Sequence, residues 1–299
     1  MSADRIFSRV IKVCTALTVF FSAFIFANTD VSTSVNTIAE SSKQPRIISI
    51  DGSITEIVYA LGAGDQLVAV DTTSRYPKAA SELPDVGYMR RLSTEGILSM
   101  QPDVVIASQD AGPADVFTQL QQAGVKVVRI QNEYSLDGVL TKVGQVAQAL
   151  GKSQQGEQLQ QKIRQQTERA LAEIPQGVAP KSLFILGAGN RGLMAAGKNT
   201  QAQAMLDLLS ANNVMDYEGY KPVSAEGALL ANPEVVLVAY TGPADPAALK
   251  TSLAMTDAQK NNRIHAVNTS VVLGFGPRLA EAVEQLVTVL YPQPVAGSN

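Results

Sequence analysis

Cysteine and histidine are almost absent from this 299-residue chain. Cysteine occurs once, at Cys14, and histidine once, at His265. A single thiol excludes an internal disulfide, and a single imidazole leaves no basis for a Ser-His-Asp triad or for a metal cluster of histidine and cysteine. The complete Gly-x-x-x-x-Gly-Lys-Ser/Thr phosphate loop is also missing. The residue inventory therefore disfavours the common hydrolase and nucleotide-hydrolysing sites.

The chain also lacks a large excess of charge of either sign. The 24 basic and 27 acidic residues give a formal net charge of −3, and removal of residues 1–27, with three cations and one aspartate, would leave −5. Nucleic-acid-binding proteins usually concentrate positive charge on one face or along a helix. A mildly acidic chain therefore predicts no nucleic acid partner.

The first 27 residues have the pattern of a secretory signal peptide. Arg5, Arg9 and Lys12 precede an apolar run over 13–27, which is too short to span a membrane comfortably. Cys14 lies inside the run, so we expect no lipid-anchored cysteine after it. Residues 28–45 are mostly small and polar without periodicity, which predicts a flexible tether. We therefore expect a periplasmic protein with a cleaved signal; a retained N-terminal anchor is the alternative.

An internal repeat indicates how the folded part is organised. Positions 92–106 read Leu-Ser-Thr-Glu-Gly-Ile-Leu-Ser-Met-Gln-Pro-Asp-Val-Val-Ile, and positions 223–237 read Val-Ser-Ala-Glu-Gly-Ala-Leu-Leu-Ala-Asn-Pro-Glu-Val-Val-Leu. Each copy predicts a short helix that begins at a serine, a proline that ends it, and a buried strand. Two such units 131 positions apart predict two similar α/β lobes with a ligand cleft between them.

Around the repeats, strands alternate with helices, which predicts largely parallel sheets. Ser53 and Glu56 have the spacing of a capping box for the first helix. Residues 153–174 favour a long surface helix, because helix-forming residues surround a thin apolar stripe. Further strands are predicted at 46–50, 67–70, 125–130, 181–186 and 263–267, and further helices at 53–61, 115–123, 136–150, 202–209 and 278–290.

These patterns predict an α/β fold of two Rossmann-like lobes with mostly parallel sheets, joined by one long α-helix. A helical connection about 30 Å long would resist large hinge motion between the lobes. The predicted N-terminal lobe covers 46–152, the connecting helix covers 153–175, and the C-terminal lobe covers 180–299.

The segment 187–192 supplies a rival interpretation. It reads Gly-Ala-Gly-Asn-Arg-Gly after a predicted strand, and Asp216 follows at a plausible distance for a ribose contact. A secreted dinucleotide-dependent enzyme that uses Gly187 to Gly192 is therefore a competing hypothesis. That fingerprint requires a helix from the third glycine. Residues 193–200 instead predict a short extended piece and a turn, with a helix only after Thr200.

Six segments together carry a specific resemblance to a known family. From residue 46 onward the chain resembles the haem-binding periplasmic proteins of bacterial haem ABC importers, within the helical-backbone class of substrate-binding proteins. The segments are Arg-Ile-Ile-Ser-Ile-Asp-Gly-Ser-Ile-Thr-Glu at 46–56, Asp-Thr-Thr-Ser at 71–74, Val-Gly-Tyr-Met-Arg at 86–90, Leu-Ser-Thr-Glu-Gly at 92–96, Leu-Met-Ala-Ala-Gly at 193–197 and Gly-Phe-Gly-Pro-Arg at 274–278.

The resemblance implies a carrier and not an enzyme. Such a carrier holds haem edge-in between two lobes joined by one long helix, and delivers it to a permease and ATPase complex in the inner membrane. An outer-membrane haem receptor system upstream is a further implied partner. Relatives in the same class carry cobalamin and siderophores, so cobalamin or a ferric siderophore is the alternative ligand.

Ferric haem needs an iron ligand, and few residue types can supply one. Histidine, methionine, cysteine and tyrosine are the usual axial ligands. Cys14 lies in the predicted signal, His265 lies in an apparent strand, and methionine suits the hard Fe(III) ion poorly. Tyrosine remains. Tyr88 has the best context, because Gly87 precedes it in a predicted loop and Arg90 follows two places on.

In the resembled family the tyrosine of this Gly-Tyr-x-Arg segment is the axial iron ligand, so the resemblance assigns that role to Tyr88. A guanidinium beside a phenol favours the phenolate, which is the better donor to iron. The alternative is a tyrosine that packs its loop against the domain. Tyr76 is the nearest rival, although its position before a proline is more typical of a loop-packing residue.

Other side chains are candidates for supporting the haem. Relatives commonly carry an arginine in the second lobe that faces the ligand tyrosine, but Thr241 occupies that position here. The adjacent Tyr240 is a candidate second ligand or a hydrogen-bond donor to the phenolate, with a strand-end packing role as the alternative. Propionates also require cations, for which the candidates are Arg90, Arg91, Arg75 and Arg191.

Two glutamates are candidates for contact with the permease. Members of the resembled family dock through one carboxylate on each lobe, and by motif position these are Glu56 and Glu226. Both are also predicted near helix starts, where an acid is favoured by the helix macrodipole. Docking and helix capping are therefore both open interpretations for this pair.

Overall fold

The computed structural model describes residues 44–187, 193–240 and 253–292. The predicted signal peptide, nearly all of the predicted tether, Arg191, most of the 187–192 glycine segment and Thr241 lie outside these ranges. Across the described ranges, no helix combines the length and the apolar character that crossing a bilayer requires.

The first half of the chain forms a four-stranded sheet in which every pairing is parallel. The strand order is β2-β1-β3-β4. The central strand β1 is buried along its whole length, as expected when helices cover both faces of a parallel sheet. The predicted strands are confirmed with small shifts at their ends: β1 (Ile47–Ile50), β2 (Leu67–Val70), β3 (Val104–Ser108) and β4 (Lys126–Ile130).

The first helix starts earlier than its sequence predicts. Helix α1 (Gly52–Ala60) has Asp51 as its N-cap, and the Asp51 carboxylate accepts hydrogen bonds from the backbone N–H and the hydroxyl of Ser53 at 2.8 and 2.7 Å. The predicted capping box of Ser53 with Glu56 is therefore wrong. Asp51 takes the capping position because its backbone turns sharply, at φ 109°, as the strand ends.

Three more helices complete the first half. The last of them, α4 (Leu136–Ala149), buries an apolar stripe against the sheet and against α1. Two short 3-10 turns, at Gly64–Gln66 and Lys78–Glu82, flank β2. The helices are α2 (Thr94–Leu98), α3 (Ala114–Gln122) and α4 (Leu136–Ala149).

The predicted connecting helix is confirmed as α5 (Ser153–Leu171), which is 19 residues long and therefore spans about 28 Å. It packs on α4 and on the last helix of the chain. Gly156 allows the close approach to α4, because a Cβ at this position would lie 2.4 Å from that of Ala147. The helix is thus a packed element between the two halves and not a free rod.

The described residues of the second half form a six-stranded mixed sheet in the order β10-β9-β5-β6-β8, with β7 beside β5. Strands β5, β7, β9 and β10 pair in parallel, whereas β6 runs antiparallel to β5 and β8. Its strands are β5 (Lys181–Gly187), β6 (Leu193–Ala196), β7 (Asn212–Asn213), β8 (Tyr220–Pro222), β9 (Val235–Tyr240) and β10 (Ile264–Asn268).

Five described helices accompany this sheet. The predicted helices near 202–209 and 278–290 are confirmed, while two one-turn helices and the short strands β7 and β8 had no sequence prediction. The helices are α6 (Gln201–Leu208), α7 (Ala225–Ala231), α8 (Asp257–Lys260), α9 (Thr269–Val272) and α10 (Leu279–Leu290).

The internal repeat corresponds to two equivalent helix-to-strand units. Ser93 caps α2 and Ser224 caps α7, and each hydroxyl accepts a hydrogen bond from the glycine N–H three positions later. The strands that follow, β3 and β9, both lie between two parallel neighbours. The prediction of two α/β halves with mostly parallel strands is therefore confirmed, and the lobe boundaries at 152, 175 and 180 stay predictions.

The largest hydrophobic cluster crosses from one sheet to the other. It joins buried residues of β1 and α4 to those of α5, β5, α6 and α10. Two smaller clusters cover the outer faces of the two sheets. One continuous apolar interior therefore links the two halves, which favours a fixed relative arrangement over free hinge motion.

Candidate ligand-binding site

Polar side chains collect where the strands of the first sheet end. Asp51 follows β1, Asp71 follows β2, and Asp110 and Asn132 lie two positions after β3 and β4. Because the carboxyl ends of parallel strands meet at one edge, these groups share that edge of the sheet. Ligands of open α/β sheets bind at this edge.

Asp71 organises the loop that follows β2. Its side chain is 1% exposed and accepts hydrogen bonds from the Asp51 N–H at 3.0 Å, from the N–H and hydroxyl of Thr73, and from the Ser74 hydroxyl at 2.8 Å. Burial raises the pKa of the Asp71 carboxyl, while these four bonds act in the opposite direction. The Asp-Thr-Thr-Ser segment is thereby locked against the start of α1.

Tyr88 is presented by a loop that is anchored on both sides. Before it, the Val86 N–H donates to the Val70 carbonyl at 2.9 Å, and the Gly87 carbonyl accepts from the Thr72 N–H at 3.1 Å. After it, the Met89 carbonyl accepts from the Gly112 N–H at 2.8 Å. Val86 and Met89 are buried, whereas the Tyr88 side chain is 39% exposed. The loop therefore holds its backbone firmly and leaves the phenol available to a ligand.

One arginine lies near the Tyr88 ring, and two more belong to the neighbouring loop segments. The guanidinium carbon of Arg91 lies 6.0 Å from the centre of the Tyr88 ring, and the Arg91 N–H donates to the Tyr88 carbonyl at 2.7 Å. Arg75 is tied to the same loop system, because its Nε donates to the Thr72 carbonyl at 3.3 Å. Arg90, two positions after Tyr88, is exposed. The structure therefore shows Arg91 near the Tyr88 ring, while Arg90 and Arg75 lie in the same pair of loops.

Arg90 also acts on the second half of the chain. Burial raises the pKa of Tyr220, a residue of β8, and the positive charge of Arg90 is one of the influences that oppose this rise. A second link between the halves involves Tyr134, whose hydroxyl donates to Asp110 Oδ2 at 3.0 Å and accepts from Gln201 Nε2 at 3.1 Å. Tyr134 therefore lies where the two halves meet, at the same sheet edge as Asp110.

Tyr240 occupies the equivalent edge of the second sheet. It is the last residue of β9, is half-buried, and its carbonyl accepts a hydrogen bond from the Thr269 hydroxyl at 2.6 Å. Its ring covers Gly187, where an added Cβ would lie 2.8 Å from the ring. A role in ligand binding for Tyr240 stays a prediction, and Arg191 lies outside the described residues.

His265 is placed away from these groups. It is the second residue of β10, opposite Leu237, so it lies about 10 Å along the strand from the carboxyl edge. Burial, followed by the charge of Arg263, lowers the pKa of this imidazole. Within the described ranges, no three residues among histidine, cysteine, aspartate and glutamate gather to form a metal site.

The glycine segment lacks the surroundings of a dinucleotide site. Strand β5 is followed by the antiparallel strand β6, and helix α6 begins only at Gln201 with Thr200 as its N-cap. A Rossmann fingerprint needs a helix from the third glycine, so the predicted extended piece over 193–200 is confirmed. Residues 188–192 themselves lie outside the described ranges.

Two open grooves lie along the connecting helix. A groove of about 470 Å³ includes Ala170, Glu284 and Tyr291, and a groove of about 440 Å³ includes Tyr76, Lys162 and Arg278. Neither is lined by Tyr88 or by the arginines around it. Tyr76 is 49% exposed and stacks under Arg278, so it is a second accessible phenol at a distinct place.

The predicted docking glutamates differ in their surroundings. Glu226 is exposed in the first turn of α7. Glu56 is 8% exposed, and both of its carboxylate oxygens accept hydrogen bonds from the Arg278 guanidinium. Glu95, the repeat counterpart of Glu226, is exposed in the first turn of α2. The repeat is the sequence signal that could have singled out Glu95.

The chain matches the periplasmic binding protein family over residues 47–268. It belongs to this family. The resemblance drawn from the six segments is therefore confirmed at the level of the family, which is one of extracytoplasmic solute-binding proteins and not of enzymes.

Three similar proteins illustrate the range of this periplasmic binding protein family. The heme-binding protein RhuT from Roseiflexus sp. RS-1, in apo form, is 34% identical with a TM-score of 0.76, covering 83% of this chain and 98% of that one. BhuT in complex with two hemes is 37% identical with a TM-score of 0.76, covering 82% and 97%. A vitamin B12-binding protein of Vibrio campbellii is 30% identical over 75% of this chain and 77% of that one.

Proposed function

We propose that this periplasmic binding protein captures ferric haem at Tyr88 and delivers it to a haem ABC permease. The observation that carries the proposal is the Tyr88 side chain, which is 39% exposed and has the Arg91 guanidinium 6.0 Å from its ring centre, with Arg90 and Arg75 in the same pair of loops. Phenolate is a known axial ligand of haem iron and suits hard Fe(III). The arginines would pair with the two haem propionates through charge-assisted hydrogen bonds.

The similar proteins support haem as the first choice of ligand. Heme-binding proteins at 34% and 37% identity are similar over nearly their whole length. Vitamin B12 is the second candidate, because relatives at 26% to 30% identity bind it. The corrin periphery carries neutral amides where haem carries two carboxylates, so a cluster of arginines beside the ligand favours haem.

A hemin titration tests the proposal. Wild-type protein should give a saturable shift of the Soret band. Tyr88→Phe removes the oxygen that would bind the iron, so its affinity for hemin should be at least about tenfold lower and its spectrum altered. Tyr76→Phe is the matched control, since Tyr76 is also exposed and also faces an arginine. An unchanged spectrum in Tyr88→Phe would refute the ligand assignment, and binding of cyanocobalamin in preference to hemin would favour the second candidate.

Delivery requires contact with the transporter, and we propose that exposed carboxylates of the two repeats make it. Glu226 retains its predicted role. On the first half, a docking arginine would have to displace Arg278 to reach Glu56, whereas Glu95 has no such obstacle in its exposed first-turn position. Exposed charges mainly steer association and set its salt dependence.

Stimulation of the transporter's ATPase by the loaded protein measures docking. We expect Glu226→Ala and Glu95→Ala each to raise the half-maximal concentration by about fivefold at low salt, with the difference shrinking in high salt. Glu157→Ala, an exposed change on α5, is the control. Equal stimulation by all variants would exclude these carboxylates from the interface.

Export and an upstream donor complete the proposal. The signal pattern over 1–27 supports release into the periplasm, where an outer-membrane haem receptor system would supply the ligand. N-terminal sequencing of the protein from a periplasmic fraction tests the cleavage position, and a retained Met1 would support the N-terminal anchor instead.

A further inference from the structure

The segment 274–278 belongs to the second half of the chain, but its Phe275 and Arg278 side chains contact the first half. Phe275 is fully buried, and its ring centre lies 5.4 Å from that of Tyr134. Its backbone has φ 43°, a left-handed conformation that aromatic residues rarely adopt, so the surrounding contacts must outweigh the strain. Gly276 lies against Ser53, where an added Cβ would come within 3.1 Å.

Lys142, on α4, makes the first attachment to this segment. The Lys142 side chain is 1% exposed, and its ammonium donates to the Phe275 carbonyl at 3.0 Å and to the Ser53 hydroxyl at 2.9 Å. Burial lowers the pKa of Lys142, while the charges of Asp51, Asp110 and Glu56 act against this. A buried ammonium is costly unless hydrogen bonds satisfy it. One of these bonds joins α4 to the segment, and the other joins α4 to α1.

Arg278 makes the second attachment. Its Nε donates to Glu56 Oε2 at 2.9 Å, and its Nη2 donates to Glu56 Oε1. Its guanidinium carbon lies 4.1 Å from the centre of the Tyr76 ring. The hydrogen bond to Glu56 raises the pKa of Arg278, and burial raises the pKa of Glu56 against the effect of Arg278. Bidentate geometry makes this pair directional as well as attractive.

Both attachments are connected, through further contacts, to the residues around Tyr88 and between the two halves. Tyr76 ends the loop over 71–76, and Thr72 of this loop donates to the Gly87 carbonyl next to Tyr88. Tyr134, under Phe275, bonds Asp110 at the edge of the first sheet and Gln201 at the start of α6. The contacts of 274–278 therefore reach the backbone that carries Tyr88 and the polar groups between the two halves.

We propose that residues 274–278, Lys142 and Glu56 form a clasp, in which Lys142 and Arg278 are positioning residues that fix the Tyr88 loop relative to the second half before ligand binds. When these contacts are formed, the ligand enters a preformed site, so binding carries no additional entropy cost for ordering the Tyr88 loop. The claim that the clasp fixes the Tyr88 loop rests on the structure alone. The claim that this affects haem binding rests on the proposed function.

Hydrogen exchange of the ligand-free protein tests the clasp without reference to haem. In Arg278→Gln and in Lys142→Met we expect amides over 71–76 and 86–92 to exchange at least about tenfold faster, while those of β1 and α5 keep their rates. Arg164→Gln is the matched control, because it removes an exposed arginine paired with Asp137 at 3.1 Å. Unchanged loop exchange, or an increase spread evenly over β1 and α5, would overturn the proposal.

Folding failure is guarded against by the double variant Glu56→Gln with Arg278→Gln, which leaves no unpaired buried charge. The same loop-specific increase is expected there. For hemin, clasp variants should keep the stoichiometry and the tyrosine-ligand spectrum of the wild type but release ligand at least about fivefold faster. If wild type binds no hemin, the proposed function fails while the exchange result still decides the clasp; unaltered release in variants with faster exchange would refute the positioning role.

Discussion

At the scale of the residue, the candidate site depends on how one phenol is held. Tyr88 is exposed, yet its neighbours Val86 and Met89 are buried. The backbone before Tyr88 is bonded to the 70–72 segment, and the Met89 carbonyl after it accepts from the Gly112 N–H. Asp71 provides the rigid base for that segment through four accepted hydrogen bonds. Preorganisation of this kind reduces the entropy lost when a ligand binds.

The single histidine gives a clean pH prediction. Because burial lowers the pKa of His265, the folded protein favours neutral imidazole, so its contribution to stability is complete above the ordinary value near 6.5 and is lost as pH falls toward the lowered folded value. We expect the urea midpoint of the wild type to fall more between pH 7.5 and pH 5 than that of His265→Gln. Equal falls in the two proteins would contradict the assignment.

At the scale of the element, close packing of α5 on α4 sets the relation between the two halves. Gly156→Ala would place a Cβ 2.4 Å from that of Ala147, forcing the helices apart. Overpacking costs about 1–3 kcal/mol, of which the better helix propensity of alanine offsets about 0.5–1 kcal/mol. We therefore expect a net loss of stability in urea unfolding.

Gly144→Ala is the matched control on the facing helix. Its Cβ would lie 3.0 Å from the Gln160 amide, whose Nε2 donates to the Leu140 carbonyl at 2.7 Å. A small shift of this side chain offsets part of the propensity gain, so stability should change by less than about 1 kcal/mol. The packing argument would be wrong if both variants shifted the unfolding midpoint equally.

Elements also show where local patterns are sufficient. Ser93 and Ser224 were predicted to begin helices and do so, since an N-cap depends on residues within one turn. Strand β6 was predicted from the absence of a helical pattern before Thr200. The short strands β7 and β8 were missed, because two or three residues are too few to show a period.

At the scale of the whole molecule, the continuous hydrophobic cluster predicts joint unfolding of the two halves. Apolar residues of β1, α5, β5 and α10 belong to one buried set, so exposing either sheet exposes the surface that stabilises the other. We expect one calorimetric transition with matching calorimetric and van't Hoff enthalpies. Two resolved transitions, or cooperative folding of residues 44–152 alone, would show that the halves are independent domains.

The two-lobed α/β architecture could be predicted from the sequence, because each helix and strand pattern is encoded within a few residues and the helix-to-strand unit occurs twice. The family followed from the resemblance of six segments. Tertiary structure decided the contacts that no local pattern encodes. Glu56 pairs with Arg278 across 222 positions, and Lys142 reaches the Phe275 carbonyl across 133. Such contacts depend on which surfaces the packed halves bring together, and their strength comes from burial, which sequence neighbours do not determine.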